Sequence, residues 1–230
     1  IKIPKINPRM LILGVVGILI LFAASTVFYT VAPDEVAVIQ RFGKFIGTED
    51  QGLHFKLPFG IDKVTTVKTT FVYKQEFGFR TASAGVQSEF ITEGIQLDNE
   101  KLVLCGDLNV LGVEWVMQFT ISDPYKYLFK IRNAEGTLRS VSEAAVKEVI
   151  GDHSVDEVIT TEREEIGAKA KLKVQAILDS YEAGINITDV RLRNVNPPTR
   201  EVQDAFEAVN RAEQKRQELI EQANAERNRV

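Results

Sequence analysis

Twenty-two consecutive residues without a charge, Met10 to Val31, set the tightest limit on what this chain can become. The run reads MLILGVVGILILFAASTVFYTV. About 20 apolar residues in a helix, rising ~1.5 Å each, span the roughly 30 Å hydrocarbon core of a bilayer. A secretory signal has a shorter apolar region ending at a small-residue cleavage site. Ala23-Ala24-Ser25 imitates such a site, but the run continues through Val27, Phe28 and Tyr29. A helix buried in a soluble core would carry a polar stripe, and this one does not. The pattern predicts a transmembrane helix over 10–31. Leu11, Ile12, Leu13, Val15, Val16, Ile18, Leu19, Ile20, Leu21 and Phe22 would lie in the bilayer.

Charge orients that helix. Lys2, Lys5 and Arg9 give residues 1–31 a charge of +3, so the net −4 of the chain leaves −7 on residues 32–230. Basic residues stay on the cytoplasmic side. Asp34 and Glu35 come directly after the run, and the next basic residue is Arg41. The N-terminus is therefore expected inside, with the large C-terminal part outside. The chain opens on Ile rather than Met, so further residues are expected in front of it.

The remainder has the composition of a folded protein. It belongs to a chain that is 44% hydrophobic and 26% charged, which excludes wholesale disorder. The acidic balance argues against nucleic acid as a partner. Glu35–Phe42 and Ile61–Thr70 read as strands. Between them Gly52–Gly60 reads as an apolar, aromatic loop. Leu53, Phe55, Leu57 and Phe59 are candidates for the membrane interface, where aromatic side chains are comfortable. Asp98-Asn99-Glu100 and Gly106-Asp107 read as turns, with Leu102–Cys105 as a buried strand between them. Val113, Trp115, Met117, Phe119 and Ile121 alternate with more polar residues, the period of a strand with one buried face. Trp115 reads as a core anchor, and Asp123-Pro124 ends this strand.

Helices dominate the rest. Leu138, Val141, Ala145 and Val149 recur at helical spacing, and Gly151-Asp152 stops them. Ser154–Glu157 and Thr161–Glu164 both fit a capping box. A long helix is predicted from Thr161 to Tyr181, burying Ile166, Ala170, Val174, Ile177, Leu178 and Tyr181, with Gly184 as C-cap. Ile185–Leu192 alternates again as a strand. Asn196-Pro197-Pro198-Thr199 is a hard break, and a final helix runs from Thr199 to the end. Its apolar positions follow an approximate heptad. A helix this long with so narrow a stripe requires a partner helix. Val202, Phe206, Val209, Leu219 and Ile220 are the expected subunit contacts, and the pattern is uncut at Val230.

No catalytic constellation emerges. Ser-His-Asp chemistry needs a placed histidine, and only His54 and His153 exist. There is no G-x-S-x-G, H-E-x-x-H, P-loop or G-x-G-x-x-G. A single cysteine, Cys105, rules out an internal disulfide or a four-cysteine zinc site, and it reads as an inert buried thiol. No catalytic, cofactor-binding or metal residue is expected.

Short motifs in a particular order now carry a resemblance. Val31-Ala32-Pro33-Asp34-Glu35, then Arg41-Phe42-Gly43-Lys44, then Gly52-Leu53-His54-Phe55-Lys56-Leu57-Pro58, resembles the opening of the SPFH (band 7) superfamily of stomatin, prohibitin, flotillin and HflK/C. The strand closing in Asp123-Pro124, Leu138-Arg139, Val149-Ile150-Gly151, Thr161-Glu162-Arg163 and Gly184-Ile185 continue the match. Within the superfamily, Gly106-Asp107-Leu108-Asn109 and the double proline before Glu201-Val202 and Ala205-Phe206 resemble the HflK family.

The resemblance implies an α+β fold. Its parts would be a cytoplasmic flank (1–9), a transmembrane helix (10–31), a strand-rich membrane-proximal SPFH lobe (32–108), an α/β lobe (109–196) and the start of a coiled-coil-type assembly helix (197–230). It also implies a non-catalytic, single-pass subunit of the bacterial inner membrane, with its SPFH domain on the periplasmic side. Such a subunit would pair with an HflC-like partner in a large closed hetero-oligomer, contact lipid, and regulate the membrane AAA protease FtsH. A stomatin-like homo-oligomer organising membrane microdomains and a membrane-tethered hydrolase are the alternatives.

Overall fold

The computed structural model describes residues 26–83, 89–91, 94–159, 163–197 and 200–227, with Gly14 and Gly17. The ten predicted bilayer residues, Leu11, Ile12, Leu13, Val15, Val16, Ile18, Leu19, Ile20, Leu21 and Phe22, lie outside the described residues. Among the described residues no helix is long and apolar enough to cross a membrane.

The first eight strands are β1 (Phe28–Val31), β2 (Glu35–Arg41), β3 (Lys44–Glu49), β4 (Gly52–Phe55), β5 (Asp62–Lys68), β6 (Tyr73–Phe77), β7 (Arg80–Ser83) and β8 (Glu89–Ile91). Then come α1 (Ile95–Lys101), β9 (Leu102–Leu104), β10 (Val110–Ile121), α2 (Pro124–Phe129), α3 (Ala134–Gly151), α4 (Val155–Ile159), α5 (Arg163–Ser180), β11 (Ile185–Asn196) and α6 (Arg200–Arg227). This is the mixed α+β content expected. The chain folds as two compact units, each built from three separated stretches.

The first unit holds residues up to 73, 119–135 and 178–186. β2 lies between β3 and β5, all antiparallel, and buries Ala37 and Val38 completely. β1 pairs with β4 in the register Phe28↔Phe55, Tyr29↔His54, Thr30↔Leu53 and Val31↔Gly52. The tail of the uncharged run is therefore a strand and not the end of a helix. Gly52–Phe55 is likewise a strand where a loop was expected. Phe28, Tyr29, Thr30 and Val31 are aromatic or β-branched, and a paired neighbour lets them follow that preference.

Asp123 caps α2, its Oδ1 accepting the Lys126 N–H at 3.1 Å, with Pro124 in the first turn. Gly184 (φ +66°) does not cap α5, which ends at Ser180. It lies against the Asp123 carbonyl so closely that a Cβ would collide, and its own carbonyl accepts the N–H groups of Ser122 and Asp123. Tyr181, expected in the core, is exposed.

The second unit holds residues 74–118, 136–177 and from 187 onward. Its sheet has the order β11-β10-β6, with β9 also pairing with β10. The predicted alternation holds along β10, where Val113, Trp115 and Met117 are fully buried, except at Glu114 on the opposite face, which is buried too. The Phe77 ring lies flat on Trp115, centroids 4.8 Å apart, and the Arg139 guanidinium sits over the Phe77 ring at 4.7 Å. Arg139 and Arg80 both reach the Glu100 carboxylate, at 2.6 and 3.0 Å, and the Gly78 N–H donates to it at 3.2 Å. Burial pushes the Glu100 carboxyl up, but these three donors outweigh it and hold it below the usual carboxylate range.

Asp98-Asn99-Glu100, read as a turn, is thus part of α1. Local turn chemistry yields to an ion-paired carboxylate that needs a fixed position. β9 alternates, with Val103 buried and Leu102 and Leu104 exposed, so the wholly buried strand expected there is corrected.

α3 buries Leu138, Ala145 and Val149 and stops at Gly151 as predicted. The Ser154–Glu157 capping box is present, with contacts of 2.7 and 3.4 Å. The Thr161–Glu164 box lies partly outside the described residues. α5 buries Ile166, Ala170 and Val174. A second stripe on α5, Gly167, Lys171 and Gln175, guards the edge of β11. Gln175 accepts the Ile187 N–H at 2.7 Å, Lys171 donates to the Thr188 carbonyl at 2.8 Å, and Gly167 lets the helix back onto the Val190 carbonyl.

Glu100→Gln leaves two guanidinium groups without their anion. With its Arg80 and Arg139 partners 40% and 30% exposed, it is expected to lower unfolding stability by ~1–2 kcal/mol, read from urea midpoints of the full chain in detergent. The Glu100 carboxyl is held down in the fold, so its contribution is complete above the unfolded carboxylate range near ~4.3 and is lost as pH falls below it. The variant should accordingly show a shallower loss of stability in acid.

Candidate membrane surface and assembly helix

Strand alternation puts Phe28, Thr30, Leu53 and Phe55 on one face of the β1–β4 ribbon. Phe28 and Phe55 touch across it, centroids 4.8 Å apart. Both are more than half exposed, and so are Leu53 and Phe59, while Leu57 is 42% exposed. The four residues singled out in the sequence, Leu53, Phe55, Leu57 and Phe59, are therefore all presented to solvent by one unit. Phe28 joins them as an exposed apolar side chain that the sequence conceals, because it is continuous with the apolar span. Phe42, 82% exposed in the β2–β3 turn, is another apolar side chain of this unit without cover.

A buried carboxylate shapes the segment after β4. Asp62 is 6% exposed. It accepts Nε of Arg41 at 2.8 Å, Nη2 of Arg41 at 3.1 Å and the Leu57 N–H at 2.9 Å. The Arg41 hydrogen bond above all, then the Leu57 amide, hold its pKa below the usual range. The pinned turn lets Phe59 adopt φ +63°, ahead of Gly60 at +75°. Most non-glycine residues avoid that region, so its cost is met by the surrounding contacts.

The side chains with chemical potential are engaged structurally. His54 faces the Asp50 carbonyl through Nε2 at 2.7 Å and the Glu49 carboxylate through Nδ1 at 3.4 Å. His153 is buried, with Nδ1 2.7 Å from the Val149 carbonyl and Nε2 3.2 Å from the Lys169 ammonium. Cys105 is buried, and burial together with Asp107 pushes its thiol up to about 11, far from a reactive thiolate. Among the described residues no group of three His, Cys, Asp or Glu could hold a metal ion. An open groove of about 780 Å³ lies between α5 and β11, but its cations are occupied. Lys171 is bound to Thr188, Arg191 to Asp189, and Arg163 to the Val158 carbonyl.

α6 is a continuous helix of 28 residues. Val202, Val209, Leu219 and Ile220 are all exposed on it. The Phe206 side chain lies outside the described residues.

Asp62→Asn removes the anion that Arg41 and the Leu57 amide share. Amide hydrogen exchange at Leu57, Phe59 and Gly60 should accelerate by ~10-fold or more, while exchange in α3 and β10 stays unchanged.

Comparison with known proteins places this architecture. Residues 29–227 match the family described as SPFH domain / Band 7. The chain is 38% identical over 236 residues to Protein HflK of Treponema pallidum, covering 99% of this chain and 70% of that protein. It is 32% identical to Protein HflK of Borreliella burgdorferi, covering 96% and 69%. It is 30% identical to the Modulator of FtsH protease HflK of Escherichia coli, spanning about half of it (48%). These relatives belong to a non-catalytic family, and this chain is not an enzyme. The chain belongs to the SPFH/Band 7 family, within its HflK branch.

Proposed function

We propose that this chain is a membrane scaffold subunit that regulates an FtsH-type AAA protease by assembling around it. Residues 10–31 would anchor it in the bacterial inner membrane, with the N-terminus in the cytoplasm. The SPFH lobes, 32–108 and 109–196, and the helix from 197 would lie on the periplasmic side. The exposed row Leu53, Phe55, Leu57 and Phe59 would rest in the outer leaflet interface. One observation carries the reading: α6 holds Val202, Val209, Leu219 and Ile220 in water along 28 residues. An isolated helix with this narrow stripe gains little from its own propensity and is stabilised by packing on another helix.

The partner in this reading is an HflC-like SPFH protein, and repeated lateral pairing closes into a cage if the rotation permits. A closed wall limits which membrane proteins reach the enclosed protease without any catalytic residue. The name of the E. coli relative, modulator of FtsH protease, supports the choice of protease. A stomatin-like homo-oligomer is the second reading, since an unpaired helix of this kind can also meet its own copy.

Affinity capture of the full chain from native membranes separates them. The scaffold reading expects an HflC-like protein and FtsH in the eluate, whereas recovery of this chain alone supports the homo-oligomer. Phe206→Asp combined with Val209→Asp is expected to shift the detergent-solubilised particle to a much smaller size on size exclusion. An unchanged elution volume removes α6 as the assembly element.

A further inference from the structure

Lys56 stands in an unusual position. Its main-chain N–H donates to the Val27 carbonyl at 2.8 Å, which ties it to the last residue before β1, inside the uncharged run. Its neighbours Phe55 and Leu57 are exposed apolar side chains. The Lys56 side chain is half-buried. It lines a cavity of about 340 Å³ shared with Thr26, Leu57, Pro58, Phe59 and Asp62. Among the described residues nothing pairs with its ammonium. Among its described lining residues the one carboxylate is Asp62, already held by Arg41 and by the Leu57 amide. Lys56 thus shares the cavity with one carboxylate whose oxygens are taken by Arg41 and the Leu57 amide.

A lysine whose stem lies along apolar side chains is stabilised when its ammonium meets an anion or bulk water. At a membrane surface the available anions are lipid headgroups. We propose that this cavity holds the headgroup of an anionic phospholipid, its phosphate paired with the Lys56 ammonium and its glycerol and chains against Leu57 and Phe59. The proposal rests on the membrane-facing reading of this surface and adds a ligand class to it. It differs from general attraction to a charged leaflet because one lysine, among several in this unit, is placed in a cavity at the end of the apolar run.

The test uses the full chain in nanodiscs made with equal parts phosphatidylglycerol and phosphatidylcholine, extracted and weighed by native mass spectrometry. Wild type should retain phosphatidylglycerol over phosphatidylcholine by about fivefold. Lys56→Gln should abolish that preference, Lys56→Arg should keep it, and Lys63→Gln, an exposed lysine outside the cavity, should leave it unchanged. Excess inorganic phosphate should not reduce the retained lipid; if it does, the cavity is a free-phosphate site and the proposal fails. Equal retention of the two lipids, or an unchanged Lys56→Gln, also overturns it. Quenching of Phe59→Trp by brominated lipid reports separately on membrane contact, against a constant background from buried Trp115. If quenching is seen without lipid preference, the surface reading stands and only the headgroup site falls. If Phe59→Trp is not quenched, both fall together.

Discussion

Phe28–Val31 would have no fixed place without Gly52–Phe55. The four-residue ladder between them takes the end of an uncharged run and sets it beside an aromatic strand from much further along the chain. Pairing satisfies the backbone of both segments, and alternation then decides which side chains face outward. Phe28 and Phe55 end up together on the outer face, while Tyr29 and His54 share the inner one. The turn after β4 inherits that placement, and Asp62 completes it by holding Leu57 from one side and Arg41 from the other. The proposed membrane surface, and the lysine within it, depend on this one ladder and its carboxylate.

The second unit shows a comparable economy around Glu100. Trp115, Phe77 and Arg139 stack in succession, and the stack ends on that carboxylate. A guanidinium lying on a ring keeps its edge free for hydrogen bonds, so one residue serves the aromatic core and the ion pair at once. Arg80 and the Gly78 amide complete the coordination. The result is a unit whose part-buried Glu100 carboxylate is already spoken for. That suits a protein working by shape and contact, since a reactive group would need a perturbed, accessible partner.

Most long elements are legible in the order of the residues, and the exceptions have physical reasons. β10 and the helices at 134–151 and 163–180 are legible because their periodicity extends over many residues. α1 is not, since seven residues containing Asp98 and Asn99 carry turn chemistry, and only the distant Arg80 and Arg139 make Glu100 part of a helix. Gly184 is recognisable as special, but for another reason than capping. The close neighbour that forbids a Cβ there is the Asp123 carbonyl, sixty-one residues earlier in the chain. Tyr181 satisfies the helical spacing and still lies outside, because α5 ends one residue before it. The candidate membrane surface divides in the same way: its four residues after Gly52 stand out in the sequence, whereas Phe28 enters only through strand pairing.

By itself the sequence determined the uncharged run, the periods of its strands and helices, the scarcity of reactive side chains and an amphipathic final helix. These are properties of neighbouring residues, and local chemistry suffices to read them. The tertiary structure alone decided that the run's last four residues are a strand, that Asp62 is the buried anchor of the aromatic turn, and that Lys56 lines a cavity with no counter-ion among the described residues. Each of these depends on pairing or charge balance between segments far apart in the chain. No periodicity encodes that, because it exists only once the backbone has brought the segments together.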